Sequence, residues 1–302
     1  MPAIDIHNLV VHYHKHGAKP VEAVRGLSLS VQPGEVVGFL GPNGAGKSST
    51  LKALMGFVRP TSGQADIFGL PAGSEAARRR IGYLPEVAMY YPFLTPLETL
   101  TLYGELQGLR GKALRREAET LLELVGLGGA IKRQNRTMSK GMLQRVGIAQ
   151  SLLGNPDLLI LDEVTSGLDP VGRKELRTLL LDRRAQGATL FFSSHELAEV
   201  EMLCDRILLI DRGRLIEERS IHELKDSIRR YAVTFTGSTS MVGLTDRLAS
   251  RENGHIVAEF DGKEGLLAAI ERIQQNGATV VDIVAQEGSL ENYFIETIGR
   301  AA

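Results

Sequence analysis

Short apolar runs recur along the chain with two different periods. Ile4 and Ile6 alternate with Asp5 and His7, and Leu27, Leu29 and Val31 alternate with Ser28 and Ser30. That two-residue period predicts half-buried strands, and Gln32-Pro33-Gly34 closes the second as a turn. Val36, Val37, Phe39 and Leu40 form a continuous apolar run of strand length. Residues 48–57 then read as a helix with Leu51, Leu54 and Met55 on one face. Further strands are expected at 65–68, 81–84, 158–161 and 188–192, with a closing hairpin at 207–210 and 214–216. In between, the period lengthens. Leu100, Tyr103, Leu106 and Leu109, then Leu114, Ala118, Leu121, Leu122 and Val125, predict helix over 99–125. Met142, Val146, Ala149 and Leu153 mark another helical face. A helix-rich insertion, about 86–155, therefore interrupts the alternation of strand and helix.

Beyond residue 220 the pattern starts afresh. Strands are expected at 231–236, 254–260 and 278–286. Leu266, Leu267, Ile270 and Ile273 make one helical face, and Leu290, Tyr293, Phe294 and Ile298 another, in a helix starting at Ser289. The expected organisation is one domain over 1–220 and a small α+β domain over 221–302, a size within the ordinary domain range. This second domain carries no ligand constellation, so a structural role, such as dimer stabilisation, is expected rather than ligand binding.

Composition narrows the function classes. At 302 residues and 43% hydrophobic, the chain can build a substantial core. Its net charge of −1 gives no electrostatic footprint for nucleic acid or an anionic membrane. The single cysteine, Cys204, excludes an internal disulfide and suits a reducing compartment. No apolar run reaches the ~18 residues of a membrane span, and Asp5 interrupts any signal-peptide core. A soluble, cytosolic chain is expected.

The candidate chemistry centres on GPNGAGKSST at 41–50, which contains G-x-x-x-x-G-K-S between the predicted strand and helix. That context is what a phosphate loop requires. Its glycines let the backbone approach the phosphates, successive N–H groups face the anion at the helix start, and Lys47 adds a point charge. The Ser48 hydroxyl can ligate Mg²⁺. Asp162 and Glu163 end a buried strand, where α/β sheets bind ligands. Because adjacent strand residues point to opposite sides, the two are expected to do different jobs: Asp162 holding Mg²⁺, Glu163 activating water. Glu86 also follows a strand, within reach of a metal or water. Ser139 is a plausible N-cap with Gly141 exposing backbone beside it, so this helix start is either a second anion site or simply a capped end. His195, at a strand end, could donate to a γ-phosphate. Tyr13 either stacks on a nucleotide base or packs on the sheet. His12, His14 and His16 lie near it, between the first two strands, without a carboxylate or cysteine at metal-ligand spacing. The Arg78-Arg79-Arg80 run reads as a solvated helix end.

With these stretches in view, the chain resembles the ATP-binding subunit of an ABC (ATP-binding cassette) transporter over roughly 4–220. The resemblance implies a P-loop NTPase core with an antiparallel β subdomain and a helical insertion, followed by the α+β domain. It implies ATP and Mg²⁺ as cofactors. Gly41, Pro42, Asn43, Gly44, Ala45, Gly46, Lys47, Ser48 and Ser49 match the phosphate loop, and Tyr13 the adenine-stacking aromatic. Glu86 falls where the family usually has the Q-loop glutamine, Ser139-Lys140-Gly141-Met142 where it has S-G-G-Q, and Ser166 to Asp169 on the D-loop. Leu158 to Glu163 matches the metal-and-base strand, and His195 the switch histidine. Glu86, Lys140, Met142 and Val164 depart from the family pattern, while Ser139 and Gly141, the groups expected to meet nucleotide, are retained.

The resemblance further implies an ATPase whose cassettes pair head to tail, the phosphate loop of one and the signature helix of the other enclosing each ATP. The C-terminal layout is similar to the accessory domain on cassettes that serve separate export permeases. The expected function is thus an exporter motor at the inner face of the cell membrane, docked on a permease beside Glu86 to Leu100. The alternative is a soluble ATPase of the same family acting on ribosomes or nucleic acid. A binding-only cassette is disfavoured by Glu163 and His195.

Overall fold

The computed structural model describes residues 1–14, 20–194, 196–236, 248–252, 255–286 and 290–301. They divide into two compact units, Met1–Glu218 and Arg219–Ala302.

In the first unit, β1 (Ile4–Tyr13) pairs antiparallel with β2 (Val21–Val31), Ile4 opposite Val31 and Val11 opposite Val24. His12 and Tyr13 belong to β1 rather than to a connection, which corrects the expected strand end. β3 (Val36–Leu40) is buried at every position, as its continuous apolar run requires. α1 (Lys47–Leu54) follows, shorter than expected because Gly56 takes φ +75° just beyond it. Then come β4 (Ser62–Ile67), β5 (Leu70–Pro71), α2 (Glu75–Arg78) and β6 (Ile81–Leu84).

The insertion holds α3 (Pro96–Leu106), α4 (Gly111–Leu124) and α5 (Lys140–Ser151). The expected helix over 99–125 is two helices, because Gly108 and Gly111 take φ of +91° and +71° and break the ladder between them. Thr95 and Glu98 form a capping box at the start of α3, with Pro96 in the first turn. The chain returns through β7 (Leu158–Asp162), α6 (Pro170–Ala185), β8 (Thr189–Ser193), α7 (Leu197–Leu203), β9 (Arg206–Asp211) and β10 (Arg214–Ser220).

Two sheets result, with strand orders β2-β1-β4-β5 and β10-β9-β3-β8-β7-β6. In the second, β3 runs parallel to both β8 and β9, and β7 runs parallel to β6 and β8. Leu51 and Leu54 of α1 join Ile6, Leu29, Phe39 and Ile160 in one core cluster. Full burial of such a side chain contributes about 1.5–3 kcal/mol, so the helix behind the glycine loop is fixed by packing on both sheets. The carboxyl ends of β3, β8 and β7 are neighbours, and the turns leaving them meet at one edge.

The second unit begins with α8 (Ile221–Ile228), whose N-terminus is capped by the Ser220 side chain. β11 (Arg230–Thr236), β12 (Leu248–Glu252), β13 (His255–Asp261) and β14 (Thr279–Gln286) make a sheet of order β12-β13-β11-β14. α9 (Gly262–Gln275) sets Ala269 and Ile273 into a core with Val233, Phe235, Ile256 and Phe260, and α10 (Leu290–Ala301) follows. α8 and β12 were not expected: α8 is too short for its period to register, and β12 has no apolar alternation. The readings placed on His16, His195, Gly254 and Ser289 lie outside the described residues.

Candidate functional site

The glycine loop leaves the end of β3 and turns directly into α1. Gly46 is the residue before the helix, at φ +109°. A Cβ on Gly46 would stand 2.4 Å from the Ala23 carbonyl oxygen, and one on Gly41 2.1 Å from that of Ile210. The loop is pressed against two neighbouring backbones, and only glycine fits at these two points. Lys47 opens α1 and curls back over the loop, its Nζ donating to the Gly41 carbonyl at 2.5 Å and to that of Pro42 at 3.4 Å. The buried Thr50 hydroxyl donates to the Gly46 carbonyl at 3.0 Å, closing the first turn.

Two strands away in the same sheet, β7 ends in Asp162, 4% exposed and in register with Ser193 of β8. The Ser193 hydroxyl donates to Asp162 Oδ1 at 2.5 Å. Glu163 lies just past the strand at φ +53°, a left-handed conformation uncommon for a residue with a side chain. Its N–H is shared between the Ser193 carbonyl and hydroxyl oxygens, both at 3.2 Å. The expected division of Asp162 and Glu163 onto opposite sides is corrected by this turn: strand alternation ends at Asp162, and both residues line one cleft.

The turn is held from α5 and α6 as well. Gln144 Nε2 donates to the Val164 carbonyl at 2.9 Å, and Lys140 Nζ to the Ser166 hydroxyl at 3.2 Å. Asp169 caps α6 by accepting the Gly172 N–H at 2.8 Å. From the first turn of α6, Arg173 donates to the Leu168 carbonyl at 3.2 Å and also pairs with Glu196.

The cleft between the loop and the turn measures about 370 Å³, and Tyr13, Lys47, Ser48, Glu86, Asp162 and Glu163 are among its walls. Tyr13 is 37% exposed, at the end of β1. Burial holds the Lys47 ammonium below the usual lysine range, although the carboxylates of Glu163, Asp162 and Glu86 pull it the other way. Among the described residues lining the cleft, one cation thus faces four carboxylates, Glu22, Glu86, Asp162 and Glu163. No cluster of three or more His, Cys, Asp or Glu suited to a metal exists among the described residues. The hydroxyl of Ser48 and the carboxylates of Asp162 and Glu86 fit Mg²⁺ all the same, since that ion takes hard oxygen donors, typically one or two carboxylates, and completes its shell with phosphate and water.

Ser139 and Gly141 stand apart from these residues. Ser139 caps α5, accepting the Met142 N–H at 3.2 Å, and neither residue lines the Lys47 cleft. A Cβ on Gly141 would be 2.8 Å from the Gly167 carbonyl oxygen, so the first turn of α5 abuts the loop before α6. Ser193 and Gln144 escaped the sequence reading. The available signals were a hydroxyl at the end of an apolar strand and an amide at a buried helix position.

A second concavity of about 760 Å³ lies beside α3, walled by Phe57, Tyr83, Tyr90, Tyr103 and Leu106, with Lys52 among its polar lining residues. Next to it Val87, Met89, Tyr91 and Phe93 are all exposed. Burial, and secondarily the Asp162 charge, push the Tyr83 phenol up to about 12.

Comparison with known proteins places these features. The family described as ABC transporter matches residues 24–166. The bacitracin transport ATP-binding protein BcrA of Bacillus licheniformis is 38% identical over 92% of this chain and 93% of its own length. The linearmycin resistance ATP-binding protein LnrL of Bacillus subtilis (strain 168) is 34% identical over 94% and 96%. A solved structure described as the ATP binding subunit of an ABC transporter superposes with a TM-score of 0.67 at 31% identity, over 74% of this chain and 92% of that one.

Proposed function

The chain belongs to the ABC transporter ATP-binding family, and from that premise we propose that it is the ATP-hydrolysing motor of an exporter, driving a separately encoded membrane permease. The observation that carries the reading is the pairing of Lys47 with Asp162 and Glu163 in one cleft that Ser139 does not line. The cleft supplies half of a nucleotide site. The capped start of α5 is the other half, offered to the nucleotide of a second cassette. ATP therefore draws two cassettes together, and hydrolysis with phosphate release separates them.

Each residue has a role in this reading. The loop N–H groups and Lys47 take the phosphates, helped by the amino end of α1. Tyr13 stacks on the adenine. Ser48, Asp162 and Glu86 would hold Mg²⁺, which when bound neutralises phosphate charge. Glu163 takes the proton of the attacking water, and His195 donates to the γ-phosphate. Among the described residues no helix is long and apolar enough to cross a membrane. In this reading the permease is met at the exposed Val87–Met89–Tyr91–Phe93 edge and the adjoining groove, with the chain on the inner face of the cell membrane. Similar chains named for Nod factor export, in Cupriavidus metallidurans and Burkholderia lata, support export, and the alternative of a ribosome or nucleic-acid ATPase is not favoured.

The test is Glu163→Gln. The variant should bind ATP, hydrolyse little and accumulate as a closed dimer by light scattering. Unchanged turnover would remove Glu163 from the mechanism. Monomeric ATP-loaded variant would remove the composite site.

A further inference from the structure

We propose that Ser193 is a positioning residue that sets the Asp162 carboxylate and the Glu163 turn from a single hydroxyl. The inference rests on the roles given to those two residues above. Ser193 ends β8, is 0% exposed, and lies in register with Asp162. A hydroxyl has one proton and two lone pairs. Here the proton goes to Asp162 Oδ1 and a lone pair receives the Glu163 N–H. The two bonds are mutually consistent: with its proton committed to Asp162, the oxygen can only accept from the Glu163 amide. One Asp162 oxygen is thereby engaged and the carboxylate held in place, with the other left for the metal or its water shell. The same oxygen supports Glu163 at φ +53°, the conformation that turns its side chain off the strand and into the cleft.

Among the hydrogen bonds of the described residues, no other group both donates to Asp162 and accepts the Glu163 N–H. The Ser193 carbonyl also accepts from Glu163 N–H, but it cannot donate to Asp162. An alanine at 193 would leave Asp162 Oδ1 without this donor and Glu163 with one acceptor fewer. A threonine keeps the hydroxyl and suits a strand. A hydrogen bond to a metal-holding carboxylate fixes its orientation, and losing such a bond costs roughly 10–100-fold in metal affinity or activity.

The experiment uses the full-length chain as wild type, Ser193→Ala, Ser193→Thr and Glu163→Gln, with thermal unfolding confirming that each is folded. Binding of a fluorescent ATP analogue is measured in EDTA, Mn²⁺ affinity of the ADP-loaded protein by electron paramagnetic resonance, and kcat and KM under excess Mg²⁺. Ser193→Ala should bind nucleotide in EDTA like wild type, yet lose ~10-fold or more in Mn²⁺ affinity and in kcat, with KM little changed. Ser193→Thr should restore most of both. Wild-type Mn²⁺ affinity and kcat in Ser193→Ala, or a folded Ser193→Thr as impaired as the alanine variant, would overturn the proposal. Glu163→Gln separates the two readings. If it turns over normally, the water-activating role of Glu163 fails, while the Mn²⁺ measurement still decides the case of Ser193.

Discussion

The side-chain amide of Gln144 donates to the backbone carbonyl of Val164 at 2.9 Å, and both residues are buried. Gln144 sits one turn into α5, the helix capped by Ser139, and Val164 immediately follows Glu163. The helix proposed to greet the partner's nucleotide is therefore bonded to the turn carrying the proposed base of its own site. Gln144→Leu should leave the Val164 carbonyl unpaired and cost ~1–3 kcal/mol of stability. Gln144→Glu, whose carboxylate at neutral pH has no proton to donate, should bind ATP yet hydrolyse it several-fold more slowly. Urea unfolding checks the first and single-turnover hydrolysis the second. Wild-type hydrolysis in the Glu variant would show the two sites to be independent.

Tyr13 closes one side of the cleft from the end of β1. If it stacks on the base, Tyr13→Ala should weaken nucleotide binding by about 1–3 kcal/mol, the usual loss for an aromatic platform, and Tyr13→Trp should bind as wild type. If the ring only packs on the sheet, the alanine variant loses unfolding free energy instead and keeps its affinity. Titration with a fluorescent ATP analogue beside a denaturation curve distinguishes the two.

Local pattern reaches the fold more completely than it reaches the site. β1, β3, β6 and β7 follow from the hydrophobic pattern, because each is either half-buried with one apolar face or almost wholly buried. The break between α3 and α4 was missed because apolar residues continue in helical phase across it while Gly108 and Gly111 reverse the backbone. The phosphate loop is legible since strand, glycines, lysine and helix are contiguous. Ser193 and Gln144 were not, since each matters through a partner 31 and 20 residues away that only the register of β7 with β8, or the packing of α5, brings close. The φ of Glu163 belongs to the same class: alternation along a strand cannot announce where the strand stops obeying it.

Gly46 offers a test of the loop itself. An alanine there meets both the strain of φ +109° and an Ala23 carbonyl oxygen 2.4 Å from the new Cβ. A backbone carbonyl within β2 cannot swing aside as a side chain would, so Gly46→Ala should lose on the order of 1–3 kcal/mol from conformation alone. Nucleotide binding should be lost with it, because displacing this residue moves the N–H groups proposed to face the phosphates. Gly44, where a Cβ meets nothing within 4 Å, provides the contrast at φ +83°. Gly44→Ala should be strained but sterically free, and should retain measurable binding by isothermal titration calorimetry.

At the opposite end of the sheet, Glu35 and Arg206 pair in a forked geometry, with contacts of 2.8 and 2.9 Å. Glu35 precedes β3 and Arg206 opens β9, so the pair ties the amino ends of two neighbouring strands. Burial raises the Glu35 pKa, but the Arg206 hydrogen bonds and charge and the Gln32 N–H outweigh it, and the carboxyl settles below its ordinary value of 4.5. A carboxyl depressed in the folded state stabilises above its unfolded pKa and loses that contribution as pH falls through the folded one. Glu35→Gln should therefore cost about 1 kcal/mol at pH 7, a value discounted because the pair touches solvent. The gap from wild type should narrow as pH drops below 4.5. Urea midpoints at neutral and acidic pH measure this directly. Because ligands in such sheets bind at the carboxyl ends of the strands, the same variant should hold nucleotide with wild-type affinity, and a parallel loss of binding would mean that the strand ends transmit strain along the full length of β3.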